Sequence, residues 1–319
     1  MSPNPSILRY PGGKTRLSPT LQRMLEGEPQ LRHIVEPFCG GASISIQLIE
    51  SGALETAALN DIDLRVSSLW QVVFGKTEQL QEDFEWLLTQ VREHPVDLPT
   101  WHAIKRGQPK TTRERAWACL FLNRTSFNGI MTRKAGPIGG KTQQKNQVGV
   151  RFHRLNLEAR LRQLHALAPK ISEVSCEPWD RFAARHRRRD TLLYLDPPYY
   201  HRGRELYSHA FTHAEHVELA DWVKTVDTPW LLSYDDAPEV RALYPTSSGL
   251  NIQVLHQNYS NTKTGGISHA GQELMISNIW ALRTGDENTH IRFVGNAGAV
   301  DGPGEGTLKL PIGAVSKRK

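Results

Sequence analysis

Cysteine is scarce in this 319-residue chain, and the three that occur, Cys39, Cys119 and Cys176, stand far apart. That spacing offers neither a disulfide framework nor a zinc cluster, so no metal is expected and a reducing cytoplasm is the expected compartment. Long apolar runs are missing too. None approaches the roughly 20 residues that cross a bilayer, so no membrane partner is expected. The first residues, Met1 to Pro5, carry neither the basic start nor the apolar stretch of a secretory signal. A nucleotide triphosphatase is excluded as well. Gly13-Lys14-Thr15 looks like the end of a P-loop, but that motif needs a glycine where Leu8 stands. Acidic residues are nearly absent from 102–170, where Glu114 and Glu158 stand against 15 lysines and arginines. That segment carries about +13 in a chain of net charge +6, leaving the remainder near −7. A basic segment on an otherwise acidic protein is the footprint expected for a polyanion, although a merely solvated basic face has the same composition.

What is present centres on Leu192-Leu193-Tyr194-Leu195-Asp196-Pro197-Pro198-Tyr199-Tyr200. The apolar run reads as a buried strand, and the two prolines stop it because they cannot continue a sheet ladder. Asp196 then offers an acceptor-only carboxylate. Pro197 offers a carbonyl aimed by a fixed φ, and Tyr199 a flat face for stacking. Two acceptors and a plane suit a planar exocyclic amine, such as N6 of adenine or N4 of cytosine. A plain strand-ending turn with surface aromatics is the competing reading of the tetrapeptide alone.

Other segments predict an alternating α/β chain. Ser18-Pro19 reads as an N-cap and first helical residue, with Gly27 as the stop. His33 to Pro37 reads as a strand, Phe38 to Ser43 as a Gly-rich turn, and Ile44 to Ile49 as a helix. That order suits a nucleotide-like cofactor, since the glycines let backbone approach a ligand. Glu55 to Leu59 is the next strand. Asp61 follows about 20 residues after the turn, where an acid can take ribose hydroxyls or, alternatively, cap a helix. Helical patterns at 64–74, 77–94 and 113–122 interrupt the alternation and read as an inserted subdomain. Phe127-Asn128 pairs an aromatic wedge with an amide able to read a base edge, amid Arg124, Arg133 and Lys134. Later strands are expected at 171–176, 230–233, 252–255 and 274–279, the last two as a terminal hairpin joined by a polar 259–266 connection. Thr212-x-x-Glu215 reads as a capping box. From 285 to 319 no periodicity survives, and a flexible tail is expected.

Five motifs stand in one order: Arg9-Tyr10-Pro11-Gly12-Gly13-Lys14, Glu36-Pro37-Phe38-Cys39-Gly40-Gly41, Asn60-Asp61-Ile62-Asp63, Phe127-Asn128-Gly129 and Asp196-Pro197-Pro198-Tyr199. In this order and spacing the chain resembles the Dam-type DNA adenine-N6 methyltransferases over about residues 7–280. The resemblance implies an α/β fold, a Rossmann-like methyltransferase sheet with an inserted, mainly helical DNA-recognition subdomain. It implies catalytic parts at 1–64 and 155–284 and recognition at 65–154. It also implies S-adenosylmethionine as methyl donor, bound by Tyr10, Lys14, Glu36, Phe38, Gly40, Asp61, Asp180 and Asp196. Asp196, Pro197 and Tyr199 would be catalytic. Arg124, Phe127, Asn128, Arg133 and Lys134 would contact double-stranded DNA, with a monomer as the expected state. Ala42 departs from the glycine common in methyltransferases, and Tyr10 from a larger aromatic. An RNA adenine methyltransferase and a catalytically silent DNA-binding regulator are the alternatives. Cytosine-N4 transfer would use the same chemistry.

Overall fold

The computed structural model describes residues 6–9, 14, 17–245, 250–257, 271–278 and 291–296. In chain order, α1 (Ser18–Glu26) precedes β1 (His33–Glu36), and α2 (Ser43–Glu50) leads to β2 (Thr56–Asn60). The α-helices α3 (Leu64–Val73), α4 (Glu78–Glu93), α5 (Leu98–Arg106), α6 (Thr112–Thr125) and α7 (Arg154–His165) separate β2 from β3 (Ile171–Ser175). Then come α8 (Trp179–Arg185), β4 (Thr191–Leu195), α9 (Gly203–Leu206), α10 (His213–Lys224), β5 (Trp230–Asp235) and α11 (Pro238–Leu243). Last are β6 (Asn251–Gln257), β7 (Gly271–Ser277) and β8 (Ile291–Asn296).

The described strands form one sheet in the order β3-β2-β1-β4-β5-β7-β6-β8. The β1 to β5 pairings are parallel, while β7 runs antiparallel between β5 and β6. The strand order reverses between the neighbours β1 and β4, so their carboxyl ends flank a switch-point crevice. Side chains alternate across the sheet with period two. Ile34, Leu59, Leu192 and Leu231 join one buried layer with residues of α2, α3, α4, α6 and α7. Val35, Ala58, Leu193 and Leu232 join another with Phe182, Leu219, Val223 and Val240. Full burial of each such large apolar side chain contributes about 1.5–3 kcal/mol, which makes the sheet a stiff platform for its loops. The helices between β2 and β3 share the first layer with the sheet rather than owning a separate core.

Several local expectations change. Leu17, not Ser18, takes the N-cap position of α1, without a side-chain cap; Ser18 is buried inside the helix. Residues 98–106, read as no element, form α5, with Asp97 accepting from Thr100 N and a proline in the first turn. The 252–255 and 274–279 strands do pair, but β7 is internal, between β5 and β6. Part of the expected flexible tail is a strand: Ile291–Asn296 pairs antiparallel with β6. Four residues, Ile291-Arg292-Phe293-Val294, were too short a pattern to register against their polar flanks. The 259–266 connection lies outside the described residues.

Candidate active site at the carboxyl ends of the central strands

All five residues of β4 are buried, so Asp196 leaves the sheet from a fixed point. Asp235, at the end of β5, holds the turn beyond it: Oδ1 accepts from Tyr200 N at 2.9 Å. Asp196 Oδ1 accepts from Ser233 Oγ at 2.7 Å and lies 3.3 Å from Lys14 Nζ. No described residue donates to Asp196 Oδ2, and the side chain is 25% exposed. One carboxylate oxygen is therefore fixed by the protein and the other is left without a donor among the described residues. Lys14 also donates to Glu273 Oε1 at 3.1 Å and to Tyr199 Oη at 3.0 Å, and Tyr199 Oη donates to the same Glu273 oxygen at 2.9 Å. Burial alone would pull the ammonium down, but Asp196 and Glu273 together raise it well above the ordinary lysine value. Burial pushes the Asp196 carboxyl up, opposed by Lys14 and Ser233.

At the end of β1, Glu36 is buried and accepts from Ser45 N at 2.7 Å, at the start of α2. No cation faces it. Burial pushes its carboxyl up to about 8, despite the Ser45 hydrogen bond, and the Asp196 charge adds to the rise. Asp61 Oδ2 accepts from Gly40 N at 2.9 Å and Oδ1 from Asp63 N at 2.8 Å, so this carboxylate shapes the Gly-rich turn itself. Burial, then the Asp63 charge, pushes Asp61 up to about 7. The helix-capping alternative belongs to Asp63, which accepts from Arg65 N. Asn60 ties the strand ends together, donating to the carbonyls of Pro37 (2.9 Å) and Glu177 (3.1 Å). Phe38 packs against Trp179 and Phe211, with ring centroids 5.9 and 5.6 Å away. Beside it Asp180, half-buried in the first turn of α8, has no hydrogen bond or ion pair with any described residue. Ala42 adopts φ +49°, the left-handed region. An alanine there carries about 1–2 kcal/mol of strain that the expected glycine would not.

The turn after α6 is the third part. Phe127 is 62% exposed, and Asn128, also exposed, holds φ +53°. Phe127 N donates to Gly136 O at 2.9 Å and Ile138 N to Thr125 O at 2.8 Å, closing the 125–138 loop at its base. Gly129 is required: at φ +74° a Cβ would lie 2.1 Å from the Arg9 carbonyl oxygen. Asn123, fully buried, makes the clamp. Its Oδ1 accepts from Arg9 N (2.7 Å), and its Nδ2 donates to Arg9 O (3.2 Å) and Gly129 O (3.0 Å). Arg65 links the same loop to two others, donating to Met131 O, Asp63 and Ser208 Oγ.

Of the expected residues, Asp196, Tyr199 and Lys14 come together, as do Phe38 and Gly40 with the Asp61 turn. Two placements differ from expectation. Lys14 donates to Asp196, Glu273 and Tyr199, so its ammonium is occupied within the protein rather than left for a ligand carboxylate. Arg124 is half-buried and its guanidinium donates to the carbonyls of Arg151 (3.0 Å) and Ile7 (3.4 Å). Burial, then Arg9 and Arg151, lowers it to about 10. It braces the loop through those two carbonyls while remaining partly exposed. Arg133 and Lys134 are exposed. Tyr10 lies outside the described residues. Sequence reading missed Ser233, Asp235, Glu273 and Asn123. A lone acid in the apolar Leu274-Met275-Ile276 strand was the available signal for Glu273. No group of described residues is arranged to hold a metal ion, and no described helix is long and apolar enough to cross a membrane.

A parallel sheet reversing between β1 and β4, with a Gly-rich turn on one and an Asp-Pro-Pro-Tyr on the other, defines a Rossmann-like methyltransferase. Comparison with known proteins narrows the class. The profile of the D12 class N6 adenine-specific DNA methyltransferases matches residues 10–260, and the chain belongs to that family. It is 23% identical to the type II methyltransferase M.CviBI of Paramecium bursaria Chlorella virus NC1A, over 75% of this chain and 85% of that protein. It is 25% identical to the DNA adenine methylase of Vibrio cholerae serotype O1, over 85% of this chain and 94% of that one. The type II methyltransferase M.MjaIII of Methanocaldococcus jannaschii is 20% identical over 60% of this chain and 68% of its own length. The chain is accordingly a site-specific DNA adenine methyltransferase that takes its methyl group from S-adenosylmethionine.

Proposed function

We propose that the chain acts on duplex DNA as a monomer and methylates an adenine turned out of the helix, with Asp196 Oδ2 and the Pro197 carbonyl accepting the two N6 hydrogens. The observation that carries this reading is the open Oδ2 of Asp196, whose partner oxygen is fixed by Ser233 and Lys14. N6 of adenine is a poor nucleophile because its lone pair is delocalised into the ring. Two acceptors at fixed positions favour tetrahedral geometry at nitrogen and localise that lone pair. Tyr199 presents a ring for stacking, held by its hydroxyl bond to Glu273. A base inside a duplex cannot reach such a site, which is why flipping belongs to the proposal.

The residues at β1 and β2 fit S-adenosylmethionine, a cation with ribose and adenine parts. Among the described residues Glu36 is a buried carboxylate without a counter-charge and Asp180 an acid without a partner beside the Phe38–Trp179 wall, and Gly40 brings backbone close. Glu36, Asp61, Asp180, Phe38 and Gly40 would hold it, with Tyr10 from the first motif. When bound it supplies a sulfonium methyl whose carbon–sulfur bond breaks, leaving the electron pair on sulfur, as the nitrogen–carbon bond forms. Asp196 keeps the amine oriented throughout, and the excess proton leaves N6 for solvent. Residues 65–154 form the recognition part of this reading, with Phe127 as wedge, Asn128 as base reader, and Arg133 and Lys134 on phosphates. The test is Asp196→Ala. Methyl transfer should be abolished while DNA and S-adenosylmethionine still bind; retained turnover would remove Asp196 from this role.

A further inference from the structure

Glu273 is the group in the site that neither motif nor family profile accounts for, since the profile match ends at residue 260. It sits on β7, across the ladder from Asp235, and is buried. A buried carboxylate inside an apolar strand is expensive unless paired, and here one oxygen takes both the Lys14 ammonium and the Tyr199 hydroxyl. We propose that Glu273 is a positioning residue for methyl transfer: it shares the charge of Lys14 so that Asp196 remains a full acceptor, and it orients Tyr199. The proposal rests on the reading of Asp196 given above.

The charge balance makes the argument. Were Lys14 to face Asp196 alone, the pair would be neutral and the carboxylate would hold its electron density toward the ammonium. With Glu273 on the other side of the same ammonium, Lys14 is shared between two carboxylates and Asp196 keeps more of its negative charge. That carboxylate faces a crevice where positive charge passes from sulfur to nitrogen during transfer, and it suits both ends of that path. Among the described residues, the groups facing Asp196 are Lys14, Glu273, Ser233, Tyr194 and, more distantly, Tyr234 and Glu36. Tyr194 reaches it through Ser233, 3.2 Å away. A structural carboxylate would matter to folding; a charge-sharing one must also shift the pH at which Asp196 works.

The experiment measures the single-turnover rate of methyl transfer from labelled S-adenosylmethionine to unmethylated plasmid DNA, across pH, with binding of both measured separately. Glu273→Gln should slow transfer at least tenfold while binding changes less than threefold, and the acidic limb should move to lower pH as Lys14 acts undiluted on Asp196. Lys14→Met should move that limb the other way, and adding Glu273→Gln to it should bring the limb back. Glu273→Asp, which keeps the charge, should keep the wild-type limb. A wild-type rate in Glu273→Gln, or a loss with an unmoved limb, would overturn the proposal. Should that single variant be insoluble, coincident limbs for Lys14→Met and the double variant would overturn it equally. Asp196→Asn in the same assay separates the two ideas. Lost transfer there with normal transfer in Glu273→Gln removes Glu273 alone, whereas transfer by Asp196→Asn removes the Asp196 mechanism beneath it.

Discussion

Two carboxylates end neighbouring strands, Glu36 on β1 and Asp196 on β4, and their surroundings are opposite. Asp196 has a built-in cation, a hydroxyl donor and one open oxygen. Glu36 has a backbone amide and, among the described residues, no cation, and burial pushes its carboxyl up to about 8. The difference separates two tasks. On the proposed mechanism Asp196 works ionised and fixed before any substrate arrives, and its counter-charge comes from the protein. Glu36 lacks one, which suits a residue whose counter-charge arrives with a cationic ligand.

The largest expected effect breaks this comparison at Asp196. Asp196→Asn keeps the shape but replaces one acceptor oxygen with a donor amide, and single-turnover methylation should fall by about three orders of magnitude or more. Cofactor and DNA affinities, measured by calorimetry, should stay within a few-fold. Glu36 yields the next effect, and its sign follows from its raised value. A cationic ligand prefers the ionised form, so binding expels a proton. Affinity for S-adenosylmethionine should therefore rise with pH up to about 8, by up to about tenfold per unit, and then level off. Glu36→Gln should bind more weakly and without that slope. Stability of the unliganded protein runs the other way. A carboxyl raised by folding contributes most below its ordinary value and loses that contribution as pH rises through about 8. Melting temperature should fall between pH 5 and 8 in the wild type, and less steeply in Glu36→Gln.

The 125–138 turn, proposed above to read DNA, sharpens the same contrast. Asn123→Ala strands the Arg9 amide and the Arg9 and Gly129 carbonyls, and should cost about 1–3 kcal/mol, read as a lowered unfolding midpoint. Phe127→Ala combined with Asn128→Ala should cost at most about 1–2 kcal/mol of stability, arising from alanine at the left-handed φ of position 128, since both side chains are exposed. Sequencing of modified positions should then show relaxed target choice. Equal loss of cofactor binding would contradict their assignment. The smallest effect is Ala42→Gly. It relieves the left-handed strain but loosens the unfolded chain, and a shift within about 1 kcal/mol of zero is expected.

The crevice was legible where chemistry and local pattern coincide. The apolar run before Asp196, the Gly-rich turn after Glu36 and the acid at Asp61 each combine a strand ending with an unusual residue. What stayed hidden was pairing at long range. Glu273 lies 259 positions from Lys14, and Asn123 lies 114 from Arg9. No periodicity marks such partners. The partners of Lys14 stayed hidden for the same reason: an ammonium after a glycine turn looks available until the acids facing it are known. The carbonyls that Arg124 binds, those of Arg151 and Ile7, were likewise invisible from its neighbours in sequence.

The most direct measurement is the methylation of plasmid DNA in cells expressing either the wild-type chain or Asp196→Asn, with N6-methyladenine mapped by sequencing. The account predicts N6-methyladenine at one short motif with the wild type and none with the variant, at equal expression. Methylation surviving in Asp196→Asn would contradict the claim that the open oxygen of Asp196 holds the reacting amine.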